Sequence, residues 1–107
     1  MKQDKHAQGL VEIIKHKLDI CTRMPLCIAK EATFYKENGD IHSQPDLIMF
    51  DGELFCIEYK ASREHVDIAA GQLRRARNFI REDIGYEGTI VNVFAYHKNG
   101  NLKMEGV

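Results

Sequence analysis

Three ionisable side chains flank an otherwise apolar segment, "PDLIMFDGELFCIEYK", at residues 45–60. Asp46 follows a proline at its start, while Glu58 and Lys60 stand two apart at its end. Side chains two apart on a strand share a face, so Glu58 and Lys60 are expected to lie together. Carboxylate oxygens are hard ligands suited to Mg²⁺, and an adjacent amine can orient water or stabilise charge on a phosphodiester. These residue types indicate metal-assisted hydrolysis, whereas an exposed strand face with a weak ion pair is the simpler alternative.

The turn inside this segment decides whether Asp46 joins the other two side chains. A two-residue loop, Asp51-Gly52, would place Asp46 on the opposite face from Glu58. A three-residue loop, Phe50-Asp51-Gly52, places both carboxylates on one face. It also puts glycine third, where a type I turn with a bulge requires a left-handed residue. We therefore predict the three-residue loop.

The surrounding pattern predicts the elements that position these residues. Apolar residues recur at helical spacing within 3–20, and again from Ala69 to Glu82. The continuous apolar run "TIVNVFAY" predicts a buried strand that follows the second helix and is parallel to a neighbour. Further strands are expected at 26–36, 46–50, 53–60 and, shorter, at "EHVDI", and the tail from His97 is expected to be loose. The prediction is an α/β domain in which two helices flank a mixed sheet of four or five strands.

Composition restricts the function and location of the chain. Its 107 residues fit one domain, 1–107, and its net charge of −1 gives no overall basic signature for nucleic-acid binding. The three cysteines are widely spaced among apolar residues, which predicts reduced core thiols of a cytoplasmic protein. There is no long apolar run, and the N-terminus is polar, so neither a membrane span nor a signal peptide is expected.

The spacing of the chemical residues resembles a known superfamily. "PD" at 45–46 followed by "EYK" at 58–60 is similar to the motif of the PD-(D/E)XK nucleases. The resemblance implies a restriction-endonuclease-like core, with Asp46 and Glu58 as metal ligands and Lys60 as the catalytic lysine. It also implies an additional ligand at the Tyr59 backbone carbonyl. A glutamate from the first helix usually completes the site, directly or through water, and Glu12 is the candidate, although a contact with Lys15 would also explain it.

A longer segment, "IEYKASREHVDIAAGQLRRARNFIRE", resembles archaeal-type Holliday junction resolvases. That resemblance implies a Mg²⁺-dependent endonuclease, with Mn²⁺ as a substitute metal, acting on four-way DNA junctions as a homodimer in the cytoplasm, or in the host cytoplasm if viral. Gln72 also resembles a glutamine of the VRR-NUC-type viral replication-repair nucleases. The alternatives are therefore such a nuclease, a nicking enzyme, or a non-catalytic DNA-binding module with the same fold.

Basic residues supply a candidate DNA surface. Arg74, Arg77 and Arg81 fall at i, i+3 and i+7 of the second helix, away from its apolar stripe. With Arg63 and Lys36 they could contact phosphates, and the alternative is an ordinary solvated helix face. His42, in "NGDIHSQPD", lies near the proposed site and is a possible phosphate contact or a simple loop residue.

Overall fold

The computed structural model describes residues 4–107 as seven strands and two main helices around a mixed sheet. The helices are α1 (Lys5–Lys15) and α2 (Val66–Phe79), and the strands are β1 (Cys27–Lys30), β2 (Phe34–Tyr35), β3 (Ile41–Ser43), β4 (Leu47–Phe50), β5 (Leu54–Lys60), β6 (Ile90–Lys98) and β7 (Asn101–Gly106). The main sheet has the order β1-β4-β5-β6-β7, and β2 and β3 form a separate two-stranded ribbon. Strand β6 is parallel to β5, and the other pairs are antiparallel. The predicted mixed α/β arrangement is confirmed.

The two helices cover opposite faces of the sheet. Side chains alternate along the central strand β5, so each helix packs against every second residue of that strand. One face, the α1 face, packs its apolar side chains against α1. The other, the α2 face, packs against α2. The α1 face includes Leu10, Ile13, Leu47, Met49, Ile57, Val93 and Ala95, and the α2 face includes Cys56, Ala69, Leu73, Ile80 and Phe94. Glu58 and Lys60 alternate with the α1-face residues of β5 and so belong to the α2 face.

Helix α1 begins where the sequence supplies a capping residue. The Asp4 side chain accepts a hydrogen bond of 2.7 Å from the Ala7 backbone N–H, which satisfies a donor at the helix start. Leu10 and Ile13 are buried against the sheet, three residues apart on one side of the helix. A short 3₁₀ turn, Lys17–Asp19, follows.

The predicted short strand at "EHVDI" is wrong, because these residues begin the second helix. A 3₁₀ turn, Arg63–His65, leads directly into α2 at Val66. The Ser62 side chain accepts from the Glu64 backbone N–H at 3.2 Å, and this cap favours a helical start over an extended one. A π-helical turn, Ile80–Ile84, extends α2 to a left-handed Gly85.

The expected loose tail is also wrong, because it forms the edge strand β7. Asn99 and Gly100 both have positive φ, 53° and 78°, and reverse the chain tightly after β6. Leu102 and Met104 then pack their side chains onto the α1 face. Apolar and polar residues alternate over Asn101–Gly106, which is typical of a strand. The segment is short and mostly polar, so this pattern is weak in the sequence.

Two of the three cysteines are buried as expected. Burial raises the pKa of the Cys21 thiol and raises that of Cys56 to about 11, so both stay protonated. Cys27 is exposed on the edge strand β1, so its assignment to the core is wrong. Within residues 4–107, neither helix has the length and apolarity needed to cross a bilayer.

Candidate active site at the end of the central hairpin

The β4–β5 turn has three residues, but they are Asp51, Gly52 and Glu53 rather than 50–52. Phe50 pairs with Leu54, and Gly52 takes a φ of 115°. The pairing is shifted by two residues from the predicted one, and a shift of two keeps every side chain on its face. The carboxylates therefore still share a face.

Asp51 explains why the turn starts one residue later than predicted. Its carboxylate accepts hydrogen bonds from the Glu53 backbone N–H at 2.9 Å and from the Thr22 backbone N–H at 3.0 Å. These bonds, led by that of Glu53, lower the pKa of Asp51. The bond to Thr22 spans 29 residues, so no local pattern could have predicted it.

Asp46 and Glu58 meet at the open end of the β4–β5 pair. The Asp46 backbone N–H donates to Glu58 Oε1 at 3.2 Å, and the Tyr59 backbone N–H donates to Asp46 Oδ2 at 2.8 Å. The Asp46 side chain is 14% exposed, and Glu58 is 3% exposed. The backbone of each strand thus holds the carboxylate of the other, which fixes the pair on rigid elements.

Glu58 carries the largest electrostatic perturbation at this site. Burial, followed by the negative charge of Asp46 and the contact between the two carboxyl groups, raises the pKa of Glu58 to about 8. The Asp46 backbone hydrogen bond and the positive charge of Lys60 act in the opposite direction. Two carboxylates without a cation between them therefore retain a proton near neutral pH.

The donor set fits a hard cation that keeps several waters. Within the part of the chain that the structure describes, no group of three histidine, cysteine or acidic side chains is placed to hold a metal. The Asp46 and Glu58 carboxylates offer two hard oxygen donors, and Mg²⁺ commonly binds through one or two carboxylates. In an extended strand N–H and C=O of one residue point the same way, so the Tyr59 carbonyl leaves β5 toward Asp46.

Lys60 ends β5 on the face that carries Glu58, and it is half-buried. Its positive charge lowers the pKa of Glu58, as expected for an amine on the same face of the strand. The structure therefore brings Asp46, Glu58 and Lys60 into one group at the end of the hairpin.

His6 is a member of this neighbourhood that the sequence did not indicate. Its Nε2 lies 3.2 Å from Asp46 Oδ1, and its ring centroid lies 5.8 Å from that of Tyr59. The contact joins α1 to β4 across 40 residues. A single histidine in a helix forms no spaced motif with another residue, so no sequence pattern predicts where its side chain lies.

A cleft of about 300 Å³ opens beside Glu58 on the α2 face. It is lined by Ser43, Gln44, Pro45, Glu58, Gln72 and Arg75. Gln72, the predicted accessory residue, thus shares a cavity with a predicted ligand. The chain segment before Asp46 forms one wall, and α2 forms the other.

Comparison with known proteins does not assign this chain to a family. No protein-family model, curated protein or solved structure matches this chain. The function must therefore be argued from the residues and geometry of the site.

Glu12 lies on the α1 face, away from the carboxyl pair. Its Oε2 is 2.7 Å from His97 Nε2, and His97 Nδ1 is 2.6 Å from the Tyr59 hydroxyl. Burial, with the charge of Glu12, raises the pKa of Tyr59, so the hydroxyl keeps its proton and remains hydrogen-bonded with His97. Glu12 forms no metal-holding cluster with the pair among the described residues.

The predicted basic residues divide into two groups. Arg63 pairs with Glu105 at 3.2 Å, and Arg81 donates to the Tyr86 carbonyl at 2.8 Å. Arg74, Arg77 and Lys36 are exposed and make no ion pair or side-chain hydrogen bond within residues 4–107. Of the five cations predicted to contact DNA, three are therefore exposed and unpaired within residues 4–107.

Proposed function

We propose that this protein is a Mg²⁺-dependent endodeoxyribonuclease with Asp46, Glu58 and Lys60 in its active site. The observation that supports it best is the contact between a buried glutamate and a second carboxyl group. Burying like charges together is unfavourable unless a cation or a proton compensates. A perturbed acidic pair in a cleft is typical of functional sites.

Each residue has a distinct task in this proposal. A divalent cation, when bound, lowers the pKa of water and neutralises charge that develops on a phosphodiester. Asp46 and Glu58 hold the cation, with the Tyr59 carbonyl as a further oxygen. Lys60 orients the attacking water and balances charge on the phosphoryl oxygens.

The proposed substrate is branched DNA, and the proposed activity is that of a Holliday junction resolvase. Resolution requires two symmetric cuts, so a two-fold homodimer would place one active site on each strand. A VRR-NUC-type nuclease is the second candidate, and the position of Gln72 in the cleft with Glu58 favours it.

A cleavage panel tests the proposal. The protein is incubated with a four-way junction and with matched duplex, single-stranded and flap DNA, in Mg²⁺, in Mn²⁺ or in EDTA. We expect cleavage with either metal, none in EDTA, and none by Asp46→Asn. Junction cleavage would identify a resolvase, and preference for another structure would identify the second candidate. Binding without cleavage, together with no Mg²⁺ stabilisation of the fold, would indicate a non-catalytic module instead.

A further inference from the structure

A second cavity, of about 460 Å³, adjoins the cleft beside Glu58. It is lined by His42, Gly71, Arg74, Arg75, Asn78 and Glu82. The two cavities share Arg75, and most of their other lining residues are neighbours on α2 with its π-helical extension or on residues 42–45. Together they form one groove, the α2 groove, which has α2 as one wall and residues 42–45 as the other.

The walls of the α2 groove are tied to each other. Arg75 Nε on α2 donates to the His42 carbonyl at 2.8 Å. Phe79, also on α2, stacks on Phe34 of the β2–β3 ribbon at a centroid distance of 5.4 Å and lies 4.7 Å from the His42 ring. The groove is therefore part of the folded structure and does not require the ribbon to move.

These ties also limit the width of the groove. The Arg75 side chain reaches from α2 to the His42 carbonyl on the opposite wall, at the middle of the groove. A DNA duplex is far wider, because its major groove alone, about 12 Å across, accommodates an α-helix. A single strand is narrower, so walls within the reach of one arginine side chain favour one strand over a duplex.

The charges along the groove match a phosphodiester chain. Arg74 is exposed on α2 and has no ion-pair partner within residues 4–107, and only Nε of Arg75 is bonded there. Asn78 adds an amide between Arg74 and the end of the helix. Glu82 lies at the far end of the groove, and Glu58 lies at the proposed metal site. Basic groups thus occupy the middle of the groove.

We infer that the α2 groove binds one unpaired polynucleotide strand and leads its backbone to Glu58. This inference rests on the proposed nuclease function and narrows its substrate to DNA in which a strand leaves the duplex beside the cleaved bond. Arg74 and Arg75 would contact its phosphates, and Asn78 and Gln72 would hydrogen-bond along it.

Binding measured without metal tests the groove separately from cleavage. Fluorescence anisotropy in EDTA compares an oligothymidylate with a mixed-sequence duplex of equal length over a range of salt concentrations. We expect tighter binding of the single strand. Arg74→Ala should weaken it and reduce the slope of log K against log salt by about 0.7, the value for one phosphate contact on a single strand.

Lys98→Ala is the matched control, because Lys98 is an exposed cation at the end of β6 that does not line the groove and belongs to no proposed DNA surface. It should bind oligothymidylate as the unmodified protein does. Gly71→Glu is an independent variant, since a side chain at Gly71 meets open space and the helix should persist, while its carboxylate repels phosphate inside the groove.

Three results would overturn the inference: equal binding of duplex and single strand, equal losses in Arg74→Ala and Lys98→Ala, or unchanged binding by Gly71→Glu. Its failure differs from failure of the nuclease proposal. A protein that binds oligothymidylate through Arg74 but cleaves no DNA with Mg²⁺ would support the groove and contradict the nuclease proposal. A protein that cleaves DNA while Arg74→Ala and Lys98→Ala bind alike would support the nuclease proposal and contradict the groove.

Discussion

On the α1 face of the sheet, three polar side chains from different elements pair with one another. Glu12 meets His97, and His97 meets the Tyr59 hydroxyl. On the α2 face, Glu58 is more deeply buried than any of these, yet it faces a second carboxyl group. Tyr59 and Glu58 are consecutive residues of β5 and so belong to opposite faces of the sheet, while His6 of α1 reaches Asp46 at its end.

This difference indicates which face is structural and which is chemical. A polar chain whose members are all paired adds rigidity and has no remaining need for a ligand. The buried acidic pair has backbone donors and, at Asp46, the His6 ring, but its two carboxyl groups still face each other, and a cation between them would compensate their charges. Variants that act on one face should therefore change catalysis and metal binding, and variants on the other should change mainly stability.

The largest expected effect is on cleavage by Lys60→Ala. The amine binds no metal, so its loss should leave Mg²⁺ affinity similar or higher, because a nearby positive charge is gone. Cleavage should fall by about 10²- to 10⁴-fold, as expected for a positioned electrostatic or proton-handling group. Single-turnover cleavage and calorimetric metal titration measure the two quantities. Lys98→Ala, at the exposed end of β6, is the matched control, and equal rates in both variants would make Lys60 a simple surface charge.

The second prediction concerns pH and metal together. The Glu58 pKa is about 8 in the folded protein and about 4.3 when unfolded, so the folded state holds the proton more tightly. Stability from Glu58 is fully present below about 4.3, and it is lost as pH rises through about 8. The unmodified protein should therefore lose stability relative to Glu58→Gln across this range.

Mg²⁺ should reverse that loss, since binding requires the deprotonated carboxylate. At about 100 times its dissociation constant, Mg²⁺ should raise the free energy of unfolding by about 2.7 kcal/mol. The increment should be largest on the alkaline side of the Glu58 pKa and should vanish in Glu58→Gln. Denaturant unfolding with Mg²⁺ or EDTA measures it, and an increment that is independent of pH would show that Glu58 does not hold the cation.

The sequence predicted the α2 face better than the α1 face, for a physical reason. Asp46, Glu58 and Lys60 lie on paired strands joined by a short turn, so strand alternation and turn chemistry suffice to bring them together. Even a pairing shifted by two residues preserves that result, because the shift conserves the face. Asp51 and its distant bond to Thr22 set the true register.

Strand alternation and turn chemistry cannot predict contacts between residues that are far apart in the sequence. His6 reaches Asp46 across 40 residues, and Glu12 reaches His97 across 85. Helical spacing placed Glu12 on α1 but could not tell which end or face of the sheet its carboxylate would meet. Only the packing of the whole domain determines that, and it overrides local pattern.

Two glycines, one on each helix, sharpen the comparison of the faces. A Cβ at Gly9 would lie 2.4 Å from the Tyr59 ring, whereas at Gly71 it would meet nothing within 4 Å. Gly9→Ala should therefore cost about 1–3 kcal/mol of unfolding free energy through overpacking. Gly71→Ala should instead stabilise by about 0.5–1 kcal/mol through helix propensity. Chemical denaturation measures both, and a neutral Gly9→Ala would mean that Tyr59 shifts freely.

The smallest expected effect is that of Glu12→Gln, and it tests the separation of the two faces directly. The glutamine carbonyl can still accept a hydrogen bond from His97, so the structural chain loses only its charged partner. The free energy of unfolding should fall by about 1 kcal/mol, the difference between a hydrogen bond to a charged group and one to a neutral group.

Metal affinity and cleavage should match those of the unmodified protein, because the Glu12 carboxylate faces His97 and not the Asp46–Glu58 pair. His97→Gln provides the control. If Glu12 acts only through His97, the losses of unfolding free energy in Glu12→Gln and His97→Gln should be non-additive. Neither variant should change the Mg²⁺ affinity measured by calorimetric titration. A loss of Mg²⁺ affinity in Glu12→Gln alone would instead place this carboxylate among the groups that hold the cation, as the family resemblance implies. The α1 face would then contribute to the chemistry that we assign to the α2 face.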